Sequence, residues 1–274
     1  MSIGWDGGAP PAEVRIGPAG WLRIAVRALL IITVILCGLV ALLTLQGAER
    51  LRGLRDRRYS SWVTVFVCRA ALRLMGLGVV RRGTPMQGRG GMVANHTSWL
   101  DIFVLNSGAP LVFVSKAEVA GWPGIGWLAR ATGTLFISRD RAVAAAEAAA
   151  LSRRLVRGER PLFFPEGTST DGLQVLPFRT PLFQSFLAPD LPEGLRVQPV
   201  SVRYIAPAGQ DARVYGWWGD TDFAPHLLST LSLAPQGRVE VTYHPPVPVE
   251  EPGGRKALAA RAEAAVRSGH SAGA

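Results

Sequence analysis

Met92-Val93-Ala94-Asn95-His96-Thr97-Ser98-Trp99-Leu100-Asp101 joins a short apolar run to a polar turn and then to a helical start. The apolar triplet reads as a strand, and Ser98-x-x-Asp101 reads as the opening of a helix. On an ideal helix five residues rotate by about 500°, which leaves His96 and Asp101 about 140° apart, so the two cannot pair from mid-helix positions. His96 therefore belongs to the strand-to-helix turn, and Asp101 in the first helical turn can fold back toward an imidazole nitrogen. A carboxylate so placed fixes the tautomer and stabilises the imidazolium formed when His96 takes a proton from an alcohol. Asp101 fits a capping box with Ser98 equally well, a role that needs no chemistry. No Gly-x-Ser-x-Gly elbow occurs in the chain, so direct attack by a substrate hydroxyl fits these residues better than a covalent intermediate.

Further apolar runs occupy 111–114, 134–137, 162–164, 197–202 and 239–243, and helical patterns alternate with them. This alternation predicts an α/β domain whose largely parallel sheet is flanked by helices. In such sheets ligands gather beyond the carboxyl ends of the strands. About seventy residues after His96, the run at 162–164 leads into Pro165-Glu166-Gly167-Thr168-Ser169-Thr170-Asp171-Gly172. Two glycines and interleaved hydroxyls make a loop whose backbone N–H groups suit an anion, with a plain structural turn as the alternative. The Ala-rich helix at 142–156 ends in Arg153, Arg154 and Arg157, which suit its dipole, with Gly158 as its cap. Trp217, Trp218, Asp220, Phe223 and His226 form an aromatic and polar cluster that suits either a lipid groove or packing. A last helical stretch covers 257–266, and His270 is expected in a frayed, solvated end.

Ahead of this domain, residues 28–45 (ALLIITVILCGLVALLTL) run eighteen positions without a charge, about 27 Å of helix, just enough to span a bilayer. A cleaved signal has a shorter apolar region of roughly 7–15 residues, so a permanent anchor is expected. Arg50, Arg52, Arg55, Arg57 and Arg58 follow the run, against Arg15, Arg23 and Arg27 before it. That excess predicts an inner-membrane protein whose main domain faces the cytoplasm. A helix that enters one leaflet without crossing fits the same length. Residues 61–80 read as a second, amphipathic helix with Arg69 and Arg73 on one edge, suited to lipid headgroups or to packing on the domain. The chain thus divides into a tail (1–23), an anchor and interfacial helix (24–80), a main domain (81–250) and a C-terminal helix and tail (251–274).

The net charge of +10 comes almost wholly from arginine, since Lys116 and Lys256 are the only lysines among thirty basic residues. Such a surface suits a phosphate-rich or anionic partner. Nucleic acid would meet that description, but the chain carries no recognisable reading motif and does carry the apolar anchor. Cys37 and Cys68 both fall in apolar segments, which gives no disulfide framework and no metal-ligand spacing and suits a reducing compartment.

Together, Asn-His-x-Ser-x-x-Asp at 95–101 and Phe-Pro-Glu-Gly-Thr at 164–168 resemble the lysophospholipid acyltransferases, the family of 1-acylglycerol-3-phosphate O-acyltransferases. Lys116-x-Glu118, Trp122-Pro123-x-x-Gly126 and the segment 133–139 look like the family's second block, and 197–204 like its fourth. The resemblance implies acyl transfer from acyl carrier protein or a coenzyme A thioester to the free hydroxyl of a lysolipid. It makes His96 the base and Asp101 its orienter, and Arg139, Glu166, Gly167 and Thr168 residues that position the acceptor headgroup. No metal or redox cofactor is implied. The leading acceptor is 1-acylglycerol-3-phosphate, giving phosphatidic acid.

One position departs from the family. An arginine usually follows Thr168 and is thought to hold the acceptor phosphate, but here Ser169 stands there. The run from Ser169 to Phe183 looks like the variant in lyso-ornithine lipid acyltransferases, whose acceptor lacks phosphate. In that reading Asp171 meets the ornithine ammonium, unless it is an ordinary turn residue. Arg179 is the residue that could restore a phosphate site. Lys116 is a further candidate contact, and a non-catalytic lipid-binding module is the remote alternative.

Overall fold

The computed structural model describes residues 5, 7–8, 11, 15–54, 57, 59–138, 144–250 and 252–271. A sheet of eight strands forms the centre: β1 (Gly78–Arg82), β2 (Gly90–Ala94), β3 (Val112–Lys116), β4 (Leu135–Ile137), β5 (Pro161–Phe163), β6 (Arg196–Ile205), β7 (Arg238–Tyr243) and β8 (Val247–Pro248). Its order is β1-β7-β6-β2-β5-β3-β4, with β8 beside β6. Pairing is parallel throughout except where β6 meets β7 and β8.

Both faces of the sheet are covered. Met92 and Ala94 of β2 point into a core shared with α1 (Pro18–Leu51), α2 (Ser60–Met75), α3 (Leu100–Asn106) and α6 (Phe223–Ser232). Val93, one residue out of phase, points into the opposite core, built with α5 (Ala144–Val156), the 3-10 segment Pro181–Leu187 and α7 (Gly254–Ser271). α4 (Ile125–Thr132) lies in the connection from β3 to β4 and packs against α1. A central parallel strand buried on both sides must be apolar at successive positions, which is why 92–94 lacks the alternation of a half-exposed strand. Because Val93 pairs with Phe163 and Ala94 with Val200, β2, β5 and β6 present their carboxyl ends at one rim.

The second helix is shorter than its apolar spacing suggests. Gly76 takes a left-handed conformation (φ 81°) and its N–H bonds to Arg73 and Leu72 carbonyls, so α2 stops at Met75. Residues 78–82, expected in part to be helix, pair with β7 instead as an edge strand of the main sheet. Leu77 is buried at this junction, and its spacing from Leu74 mimicked one more helical turn. The C-terminal helix is longer than expected and reaches Ser271. His270 is buried, not solvated, and its Nε2 bonds to the Gly172 carbonyl at 3.0 Å.

α1 spans 34 residues, about 51 Å. It lies along the domain and is tied to it near both ends. Arg23 donates to the Ser232 carbonyl, Arg27 to those of Leu231 and Leu233, and Gln46 to that of Ala131. At the corner between α1 and α2, the buried Glu49 accepts the N–H groups of Tyr59 and Ser60 and the Ser60 hydroxyl. The outer face of the hairpin is left apolar: Leu22, Leu29, Val40 and Phe66 are each more than 60% exposed.

Gly90 opens β2 with φ 143°, and a Cβ there would stand 1.8 Å from the Arg196 carbonyl oxygen. Gly90→Ala is expected to cost about 2 kcal/mol or more, seen as a fall of about 5 °C or more in the thermal midpoint of the detergent-solubilised protein.

Candidate active site

His96 leaves the end of β2, and Asp101 lies in the first turn of α3, facing back toward it. Asp101 Oδ2 accepts from His96 Nδ1 at 2.8 Å, from Thr97 N–H at 2.8 Å and from Ser98 N–H at 3.1 Å. The Asp101 side chain is 0% exposed. The capping role and the orienting role, left as alternatives by the sequence, belong to the same oxygen. A carboxylate can only accept, so Nδ1 carries the proton of neutral His96 and Nε2 holds the free lone pair. With its side chain 20% exposed, His96 presents that second nitrogen to the outside. The Phe164 ring stacks on the imidazole at 4.0 Å and 13°, fixing the plane of the base.

The loop after β5 wraps this turn. Glu166 is 2% exposed, and its oxygens accept the His96 N–H at 2.6 Å and the Leu176 N–H at 2.7 Å. Its carboxyl group thus braces two loops, with each oxygen on a backbone N–H. Burial pushes the Glu166 carboxyl up to about 8, with nearby Asp101 adding to the rise and the two N–H bonds opposing it. Thr170 N–H closes the other side by donating to the His96 carbonyl at 2.9 Å.

The remaining candidates divide. Gly167 and Thr168 are half-buried at the turn, and the Arg179 side chain lies directly over Gly167, with Nε 3.2 Å from where a Cβ would stand. Arg179 itself is exposed. Ser169 turns inward and its hydroxyl bonds to the Trp217 carbonyl. Asp171 is 8% exposed and its Oδ1 accepts the Leu173 N–H at 3.0 Å, so it is not the exposed turn residue offered as the plain alternative. Lys116 ends β3 with an exposed side chain. Arg139 lies outside the described residues. Among the described residues no group of three or more His, Cys, Asp or Glu side chains is gathered as a metal ion would require.

Beside the dyad stands an aromatic wall. Trp99 meets Phe103 and Phe223 edge to face, and Trp122 and Trp217 join through Phe223. Trp99 Nε1 donates to His226 Nδ1 at 3.0 Å, and burial lowers the His226 imidazole to about 4, keeping it neutral. Two contributors near His96 were not singled out from sequence. The Asn95 amide pairs with the backbone of Val202 in both directions at 2.8 Å, carrying the β2–β6 ladder past Ala94. Tyr204 O–H then reaches Asp101 Oδ1 at 2.7 Å. Both lay inside recognised blocks, and period-two alternation along β6 puts Val200, Val202 and Tyr204 on the α3 face; the partner of each became visible only with the strand register.

The site is therefore a held imidazole with an open nitrogen, at the carboxyl rim of a parallel sheet, able to take a proton from a hydroxyl. The sequence pattern of the Acyltransferase family matches residues 64–203, and the chain belongs to that family. It is 51% identical to a lyso-ornithine lipid O-acyltransferase of Rhodobacter capsulatus, over 97% of this chain and 96% of the relative. It is 37% identical to a 1-acyl-sn-glycerol-3-phosphate acyltransferase of Neisseria gonorrhoeae, over 52% of this chain and 55% of the relative. Its fold is shared with the crystal structure of the 1-acyl-sn-glycerophosphate acyltransferase PlsC of Thermotoga maritima, at TM-score 0.59 and 22% identity over 90% of this chain and 96% of that one.

The raised Glu166 carboxyl has a signed consequence. The folded state holds this proton where the unfolded chain, near 4.5, has released it, so stability falls as pH rises from about 4.5 to about 8. Glu166→Gln keeps one acceptor and sets an NH2 against a backbone N–H. The variant is expected to melt below wild type at pH 5, with the gap narrowing toward pH 8; a gap that widens with pH would refute the assignment.

Proposed function

We propose that this acyltransferase completes ornithine lipids, moving a fatty acyl chain from an acyl carrier protein or coenzyme A thioester to the hydroxyl of lyso-ornithine lipid. The carrying observation is the 51% identity to a relative of that name along almost the whole of both chains. Ser169 supports it: the position expected to hold a phosphate-binding arginine carries a small side chain turned onto the Trp217 carbonyl. This reverses the order of acceptors expected from sequence alone. Lysophosphatidate remains the second reading, favoured by the 37% identical relative and by the exposed Arg179 guanidinium lying over Gly167.

In the proposed reaction His96 Nε2 removes the proton of the acceptor hydroxyl as its oxygen attacks the thioester carbonyl. The carbon–sulfur bond then breaks, and the proton held by His96 passes to the departing thiolate. Asp101 accepts from Nδ1 throughout and balances the imidazolium. The zwitterionic ornithine headgroup offers a carboxylate, which Arg179 would meet at the Gly167 turn.

We further propose that the α1–α2 hairpin lies in the cytoplasmic leaflet without crossing it. Arg23 and Gln46 are about 35 Å apart along α1, yet both donate to carbonyls of the same domain. A crossing helix would carry one of them away from it. The exposed apolar face between them suits acyl chains.

Three outcomes follow. Purified protein offered both lyso-ornithine lipid and lysophosphatidate, with each donor in turn, is expected to acylate the former; product from lysophosphatidate alone would overturn the acceptor. His96→Ala is expected to lower turnover by about 100-fold or more, and more than a tenth of wild-type activity would sink its role as base. In a Cys37→Ala background, Gly17→Cys and Arg52→Cys are expected to react with a membrane-impermeant maleimide in inside-out vesicles, and neither in right-side-out ones. Labelling from opposite sides would establish a crossing helix.

A further inference from the structure

The Asp101 carboxylate is shared unequally between its two oxygens. Oδ2 receives three donors, all from the His96–Ser98 turn, whereas Oδ1, among the described residues, accepts from the hydroxyl of Tyr204, more than one hundred residues away in sequence. Tyr204 is itself 8% exposed and packs its ring against Tyr215 at 5.5 Å. Its O–H must be the donor, because the oxygen that it meets belongs to an acceptor-only group. The Asn95–Val202 amide clasp fixes where β6 runs past the end of β2, and two residues further on Tyr204 arrives beneath the dyad.

We infer that Tyr204 is a positioning residue of the reaction, the third member of a Tyr204–Asp101–His96 series, which sets both the orientation of the Asp101 carboxylate and the charge that it presents to the base. The inference rests on His96 acting as the base. A hydrogen bond to Oδ1 draws charge away from Oδ2, so the imidazolium is stabilised less than by an unshared carboxylate. The hydroxyl also prevents the carboxylate from rotating out of line with Nδ1. Tyr204 touches neither acceptor nor donor in this role, so substrate affinity should be insensitive to it while the chemical step is not.

Tyr204→Phe removes one oxygen from a packed ring. The expected result is a kcat about 5- to 20-fold lower with KM within about twofold. The acid limb of the kcat–pH profile should move up by about half a unit or more, because the base is then more readily held as imidazolium. Tyr215→Phe is the packing control: its hydroxyl bonds to Gln236 and accepts Gly237 N–H, so losing it should not move the acid limb. If Tyr204→Phe fails to fold, 3-fluorotyrosine at position 204 keeps the hydroxyl as a stronger donor and should move the limb down. An acid limb that stays in place in whichever of these two proteins folds, or a Tyr204→Phe kcat within twofold of wild type, would overturn the inference. His96→Ala in the same series separates the two ideas: loss of activity there with an unmoved Tyr204→Phe profile removes only the role of Tyr204, whereas an active His96→Ala removes the base.

Discussion

A charged carboxylate taken fully out of water is tolerated only where donors replace its hydration, and around Asp101 four of them do so. Those donors come from the turn after β2 and from β6, so satisfying the charge draws the first helix of the domain, the central strand and its neighbour into one arrangement. The His96 tautomer follows from this, since the proton of Nδ1 is required by the oxygen that it faces. Glu166, whose carboxyl burial pushes up to about 8, also places its two oxygens on the backbone of two different loops, one loop further out. The two acidic residues that look most like chemistry are thus first of all the joints of the rim, and the chemistry is left to the one nitrogen that they do not occupy.

The strands that carry the site were legible because burial on both faces leaves a simple imprint, short unbroken apolar runs such as 92–94 and 162–164. β1 was not, because an edge strand in register with β7 is largely exposed and its Leu77-Gly78-Val79-Val80 entry continues a helical spacing by coincidence. His270 departs from its expected solvated end for a related reason. An Ala-rich tail carries little hydrophobic signal of its own, yet α7 docks small side chains such as Ala259 and Ala262 tightly on the sheet and delivers the imidazole to the Gly172 carbonyl. Helical geometry placed His96 ahead of the helix, within reach of Asp101, and left pairing and capping open as alternatives. It did not place Tyr204, because its partner is reached through strand order and register, which local pattern does not encode.

Ser169 shows how a family block can keep its architecture while its contacts change. Around it, Glu166 and Thr170 hold the loop to His96 through backbone bonds that do not depend on the acceptor. Position 169 faces the Trp217 carbonyl, a partner that welcomes a hydroxyl. A guanidinium would need room there and an anion to meet. Under the proposed function, a change of acceptor would then fall on the side chains at 169 and 179, neither of which bonds to His96 or Asp101 directly.

The hairpin and the site are joined by a short run of contacts. Arg23 and Arg27 grip the carbonyls at the end of α6, the other end of α6 supplies Phe223 and His226, and these meet Trp99, three residues from His96. Each arginine is anchored by hydrogen bonds to carbonyls left free where a helix ends, groups that must find donors in any case. Under the proposed one-leaflet arrangement, this linkage sets the depth of the aromatic wall relative to the lipid. The acceptor's hydroxyl could then reach His96 while its chains remain among other chains, so an apolar substrate need not leave the bilayer to meet a polar base.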